Sequence, residues 1–168
     1  MAWKGVELLS KSENQRGLTR KMRIKTDGEL LALFASVKTV AVVGVSATKT
    51  RASYGVFEFW CKQGVHAIPV NPKLAGQKIL DREVVSCLAD IGEPIDLVDV
   101  FRASEHLPAL VDELLPADVG ALWTQLEVRH PQAEERVLSA GIPLVVDRCP
   151  AIEVPRLRKL GYEVLFGC

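Results

Sequence analysis

The stretch Thr39-Val40-Ala41-Val42-Val43-Gly44-Val45-Ser46 decides the fold. It is a short run of β-branched and apolar residues without polar alternation, closed by a glycine and followed by a polar loop. Runs of this kind suit strands buried on both faces of a parallel sheet. Beyond the loop, residues 53 to 63 read as a helix, and Gly64 stands where a helix ends. Strand, loop and helix in this order open a βαβ unit.

Outward from it the cycle repeats. On the N-terminal side, Thr26 with Glu29 three residues later makes a capping box that opens a helix over 27–36. On the C-terminal side, 66–70 reads as a second strand, stopped by Asn71-Pro72. Residues 73 to 94 are ambiguous, with 80–88 fitting a short strand or a helical turn. A third strand covers 95–101, with Asp96 and Asp99 at its polar points. Ser104 is placed to cap a helix running to Leu115, with Pro108 in or near its first turn. Residues 121–123 form a fourth strand, Pro131 starts a helix that Gly141 ends, and 143–146 form a fifth strand. Residues 152–160 close with a helix before Gly161. The expected fold is therefore α/β, a doubly wound parallel sheet of about five strands with helices on both faces, Rossmann-like in type.

Composition narrows the function classes. The chain of 168 residues is 48% hydrophobic and 25% charged, which excludes collagen-like and disordered classes. No apolar run approaches the roughly 18 residues of a spanning helix, so no membrane partner is expected. Lys plus Arg equal Asp plus Glu at 21 each, so no general attraction to nucleic acid is expected. Seven basic residues against two acidic ones fall within 1–25, which reads as a basic, flexible N-terminal extension without a secretory signal. Residues 26–168 then form the single domain. The four cysteines, Cys61, Cys87, Cys149 and Cys168, form no CxxC pair, and His66, His106 and His130 are scattered. No metal site is expected, and reduced thiols in a cytoplasmic protein are.

In open α/β sheets ligands bind beyond the carboxyl ends of the strands. Five loops fall there. In the first, Gly44 lets the chain turn out of the strand, Ser46 and Ser53 offer hydroxyls, and Lys49 and Arg51 add positive charge beside a helix N-terminus. The pattern is neither GxGxxG nor a P-loop, and alone it also fits an ordinary βα turn. After the second strand stand Asn71, Pro72 and Lys73, where an NAD site usually has an acidic ribose clamp. A lysine there suits an extra phosphate on the ribose, or is a surface charge beside a turn. After the fifth strand, Cys149 beside Arg148 near a helix start is expected to have a lowered pKa, unless Asp147 simply pairs with Arg148 in a capping loop. No Ser–His–Asp set, Cys–His pair or paired carboxylates can be assembled, so no catalytic residue is assigned.

The segments VAVVGVS, RASYGV, AIPVNPK, GQKIL, PIDLVDVFR, LWTQLEV and VVDRCPAIE follow one another over about residues 38–155. In this the chain resembles the small stand-alone CoA-binding proteins, a Rossmann-like family related to the CoA-binding domain of succinyl-CoA synthetase α-subunits. The resemblance implies that Gly44, Ser46, Arg51, Ser53 and Tyr54 hold the pyrophosphate. It implies that Asn71, Pro72 and Lys73 hold the adenosine side and its 3′-phosphate, and that Phe101 and Arg102 lie beside the adenine or the pantetheine. Trp123, Gln125, Asp147, Arg148 and Cys149 would form the remaining wall. One position departs from the family's Trp-x-Gln-Leu-Gly, with Glu127 in place of the glycine. A glutamate facing the pocket would oppose the phosphates of CoA. The expected function is that of a cytoplasmic CoA or acyl-CoA binder with no chemistry of its own and a small-molecule ligand as partner. The alternatives are an NADP-dependent oxidoreductase, which would need a proton donor near the nicotinamide, and a thiol sensor in which Cys149 pairs with CoA.

Overall fold

The computed structural model describes residues 22–167, and the first 21 residues of the basic segment lie outside them. Its elements are α1 (Asp27–Ser36), β1 (Thr39–Val43), α2 (Ala52–Lys62), β2 (His66–Val70), β3 (Lys78–Ile79), β4 (Arg82–Glu83), β5 (Leu97–Val100), α3 (Leu107–Leu114), β6 (Leu122–Thr124), α4 (Pro131–Ser139), β7 (Leu144–Val145) and α5 (Pro150–Lys159). Five strands form one parallel sheet in the order β2-β1-β5-β6-β7. This is the doubly wound, Rossmann-like arrangement. The chain leaves β1 toward β2 on one side and returns to β5 on the other, so a crevice opens at the carboxyl ends of β1 and β5.

Every residue of β1 and β5 is buried, as the unalternating runs require. Alternate residues feed two cores. Val40, Val42, Leu97, Trp123 and Val145 meet Leu30 and Phe34 of α1, Phe57 and Trp60 of α2, and Val154 and Leu157 of α5. Ala41, Val43, Val98, Val100, Leu122 and Leu144 meet Leu107, Leu110 and Leu114 of α3 and Ala133 and Val137 of α4. The first core is aromatic, with Phe34 stacked on Trp123 at 5.7 Å between ring centroids.

Local signals act as read at several boundaries. The Thr26 hydroxyl accepts from Glu29 N–H while the Glu29 carboxylate accepts from Thr26 N–H. Gly64 and Gly141 take φ of +80° and +78° just past α2 and α4. His130, on the loop before α4, is that helix's N-cap, and its Nδ1 accepts from Ala133 N–H. Ser104 is not a helix cap. A 3₁₀ turn over Ser104–His106 leads into α3, and the Ser104 hydroxyl accepts from Arg129 N–H and donates to Glu127 C=O, tying two loops. The ambiguous 73–94 region holds the β3–β4 hairpin, whose turn residues Leu80 and Asp81 have φ of 49° and 62°. Val85 then bridges to Val70, so this segment covers the β2 edge.

The opposite edge is covered too. Ile24 N–H donates to Leu144 C=O and Leu144 N–H donates to Met22 C=O, and Ile24 is buried. Arg23 reaches the buried Glu134 carboxylate at 2.9 Å. The sheet thus extends into the last four residues of the basic segment.

Candidate functional site

Two clefts lie at the carboxyl end of the sheet, and Phe101 lines both. The first, of ≈ 510 Å³, is lined by Gly44 to Thr48, Arg51, Ser53, Asn71, Lys73, Leu74 and Phe101. Its walls carry two cations and no carboxylate.

The shape of this cleft comes from the first loop. Gly44 has φ of +86°, and a Cβ there would stand 2.8 Å from Phe101 C=O, so the crossing of the two strand ends needs a residue without a side chain. The Ser53 hydroxyl accepts from Ser46 N–H, and the Ser46 hydroxyl accepts from Thr48 N–H. Both serines therefore fold the loop. Asn71 does likewise across the cleft: its side-chain N–H donates to Val45 C=O at 2.8 Å, and its Oδ1 accepts from Lys73 N–H. Helix α2 begins at Arg51 with no side-chain cap, which leaves first-turn amides to meet an anion. Exposed Arg51 and Lys73 flank that point.

The second cleft, of ≈ 620 Å³, runs between α2, the β5 and β6 exits and the start of α5. Val56, Phe101, Leu126, Val128, Cys149 and Ile152 give it a largely apolar wall, with Arg102, Gln125 and Glu127 as its polar points. Beneath it Asp99 is fully buried. Asp99 Oδ2 accepts from the Trp60 indole N–H at 2.8 Å, and Oδ1 accepts from the Gln125 amide at 2.6 Å. Burial pushes the Asp99 carboxyl up to about 6 against these hydrogen bonds.

The other expected wall residues go elsewhere. Trp123 is wholly buried in the aromatic core, with its indole N–H donating to Arg148 C=O, so it lines neither cleft. Tyr54 packs against the same core, and Pro72 is exposed beside the first cleft without lining it. Asp147 and Arg148 do not pair with each other. Asp147 accepts from Glu127 N–H at 2.7 Å, and Arg148 donates to Lys25 C=O and lies near Glu153. They line a separate polar recess with Arg23, Lys25 and Arg129. The expected low pKa of Cys149 is overturned: burial pushes its thiol up, and the Asp99 and Glu153 charges add to that. Glu127 takes φ of +66°, a left-handed backbone in which the glycine that the resemblance implies would sit without strain.

Two features were not singled out from the sequence as part of the site. Asp99 read only as a polar point of a strand, although a carboxylate inside an otherwise apolar strand is a signal in itself. Val56 and Ile152 sit in helices α2 and α5, where the sequence reading assigned them no role. Among the described residues no three His, Cys, Asp or Glu side chains gather as a metal site, and no helix is long and apolar enough to cross a membrane.

Known proteins share this fold. A protein of Thermus thermophilus has the same fold at a TM-score of 0.77 and 38% identity, covering 79% of this chain and 99% of its own. A hypothetical protein from Pyrococcus horikoshii OT3 matches at a TM-score of 0.76 and 26% identity, covering 80% and 93%. The uncharacterized protein YneT of Bacillus subtilis (strain 168) is 33% identical over 128 residues, which are 76% of this chain and 93% of that one. The family model described as CoA binding domain matches residues 38–155, the span that builds both clefts, and the chain belongs to that CoA-binding family.

Proposed function

We propose that this protein binds CoA or an acyl-CoA in the cytoplasm, with the nucleotide end in the first cleft and the pantetheine arm in the second. One observation carries the reading: a cation-lined cleft without a carboxylate meets an apolar one at Phe101, inside the region that matches the CoA-binding family. The chain's own groups fit such a ligand. Gly44 lets the Phe101 backbone pack against the end of β1 at the cleft, the uncapped start of α2 offers amides to a pyrophosphate, and Arg51 balances its charge. Lys73 is held beside Asn71 at the end of β2, suited to a 3′-phosphate where a free diol would call for an acid. Phe101 and Arg102 stand between the nucleotide and the arm. The binding residues need move no proton and form no bond, and the role proposed is that of a binder.

The test is calorimetry with CoA and dephospho-CoA on wild type and Lys73→Ala. Wild type is expected to prefer CoA. Lys73→Ala is expected to lose about tenfold in affinity for CoA and little for dephospho-CoA, because a charge-assisted contact to one phosphate is lost. Equal losses for both ligands would remove Lys73 from the 3′-phosphate.

A further inference from the structure

The second cleft holds one buried polar side chain whose orientation is forced. Gln125 is 5% exposed and lines the cleft beside Cys149 and Phe101. An ionised carboxylate only accepts hydrogen bonds, so the side-chain amide of Gln125 must turn its NH₂ toward Asp99. The Trp60 indole fills the other carboxylate oxygen, so Asp99 is held as an acceptor from both sides. Gln125 Oε1 is left with no hydrogen-bond partner among the described residues, at the wall of the cleft. Among the described residues only Arg148 Nη1 is an enclosed polar side-chain atom without a partner, so Gln125 Oε1 opens onto the cleft, where a ligand N–H can take the place of water.

We propose that this cleft is an amide-recognising subsite, in which Gln125 Oε1 accepts an N–H from the ligand and Asp99 is the positioning residue that points it there. The surrounding Val56, Leu126, Val128 and Ile152 would cover the apolar atoms on either side of such an amide. The inference rests on the CoA reading, since the pantetheine arm is an apolar chain carrying two secondary amides. It assigns specificity to the arm, separately from the phosphates.

The experiment measures affinity for CoA and for 3′-phosphoadenosine 5′-diphosphate, which lacks the arm, in wild type and three variants. Gln125→Met keeps the length of the side chain and is expected to weaken CoA about tenfold while leaving the arm-less nucleotide unchanged. Asp99→Asn keeps its oxygen on the Trp60 indole N–H and turns its NH₂ toward Gln125, which flips the Gln125 NH₂ to the cleft, and is expected to cost CoA about tenfold with the arm-less nucleotide unchanged. The exchange of both residues, Asp99→Asn with Gln125→Glu, restores an acceptor-only group at the cleft wall and is expected to regain most of the CoA affinity. A merely structural role would move both ligands together and would not be rescued by the exchange, and that pattern overturns the subsite. Wild type that binds the arm-less nucleotide as tightly as CoA overturns it as well, with the nucleotide site intact. Wild type that binds neither ligand overturns the CoA reading, and the subsite with it.

Discussion

Three residues of the site work under conformational or electrostatic constraint, and each gives a measurable consequence. Gly44 combines a left-handed backbone with a backbone oxygen where its Cβ would be. Gly44→Ala is expected to cost about 2–3 kcal/mol in urea unfolding, from the φ penalty plus displacement of the Phe101 carbonyl. A cost below about 0.5 kcal/mol would mean the crossing is not tight. Glu127 is the opposite case, a bulky residue at φ +66°. Glu127→Gly is expected to raise stability by about 0.5–1 kcal/mol, the left-handed penalty outweighing the extra chain entropy of glycine. It also removes a carboxylate from the cleft wall, so CoA affinity is expected to rise with it.

Asp99 links burial to pH. Its native pKa, about 6, lies above the ordinary 3.8, so the folded protein holds this proton more tightly than the unfolded chain. Its contribution to stability is therefore complete below the ordinary value and is lost as pH rises through about 6. The stability of Asp99→Asn relative to wild type is expected to rise by about 2–3 kcal/mol between pH 4 and 7, read by urea unfolding at each pH. A flat difference across that window would contradict the assignment.

At the scale of elements, the helices owe their ends to local chemistry that the sequence displays. Thr26 and Glu29 close a full capping box, and Thr26→Ala is expected to lower stability by about 1 kcal/mol without touching either cleft. A larger loss, or a change in CoA affinity, would show that α1 does more than brace the sheet. The buried strands β1, β2 and β5 were legible because apolar runs between turn residues have few other uses. The β3–β4 hairpin was not, since Leu80-Asp81 takes left-handed backbone without the Asn-Gly that usually signals such a turn. Ser104 misled for a similar reason. A serine before a helix reads as a cap, and only the fold brings Glu127 and Arg129 within reach of its hydroxyl.

At the scale of the whole molecule, the parallel order β2-β1-β5-β6-β7 brings five exits to one end, and the loops after β1, β2, β5 and β6 supply most of the lining of both clefts. Much of that convergence follows from strand–helix alternation, and of the residues named from sequence Gly44, Ser46, Arg51, Ser53, Asn71, Lys73, Phe101, Arg102, Gln125 and Cys149 line one cleft or the other. Alternation does not say which way a side chain faces. Trp123 lies within β6 and Gln125 just past its end, yet Trp123 is locked under α1 while Gln125 reaches the cleft. Asp147 and Arg148 turn to the Met22–Lys25 edge, a contact that depends on a segment far away in sequence.

On the proposed reading, the joined clefts select a 3′-phosphorylated nucleotide carrying an amide-bearing arm. The most direct measurement is the thermal unfolding midpoint of the full chain with CoA, dephospho-CoA, NAD and NADPH. A ligand at a hundred times its Kd stabilises the fold by about 2.7 kcal/mol, which moves the midpoint by several degrees. A rise with CoA, a smaller one with dephospho-CoA and none with NAD are expected. A rise with NADPH alone, or the same midpoint with all four on protein shown by native mass to carry no ligand, would contradict that reading.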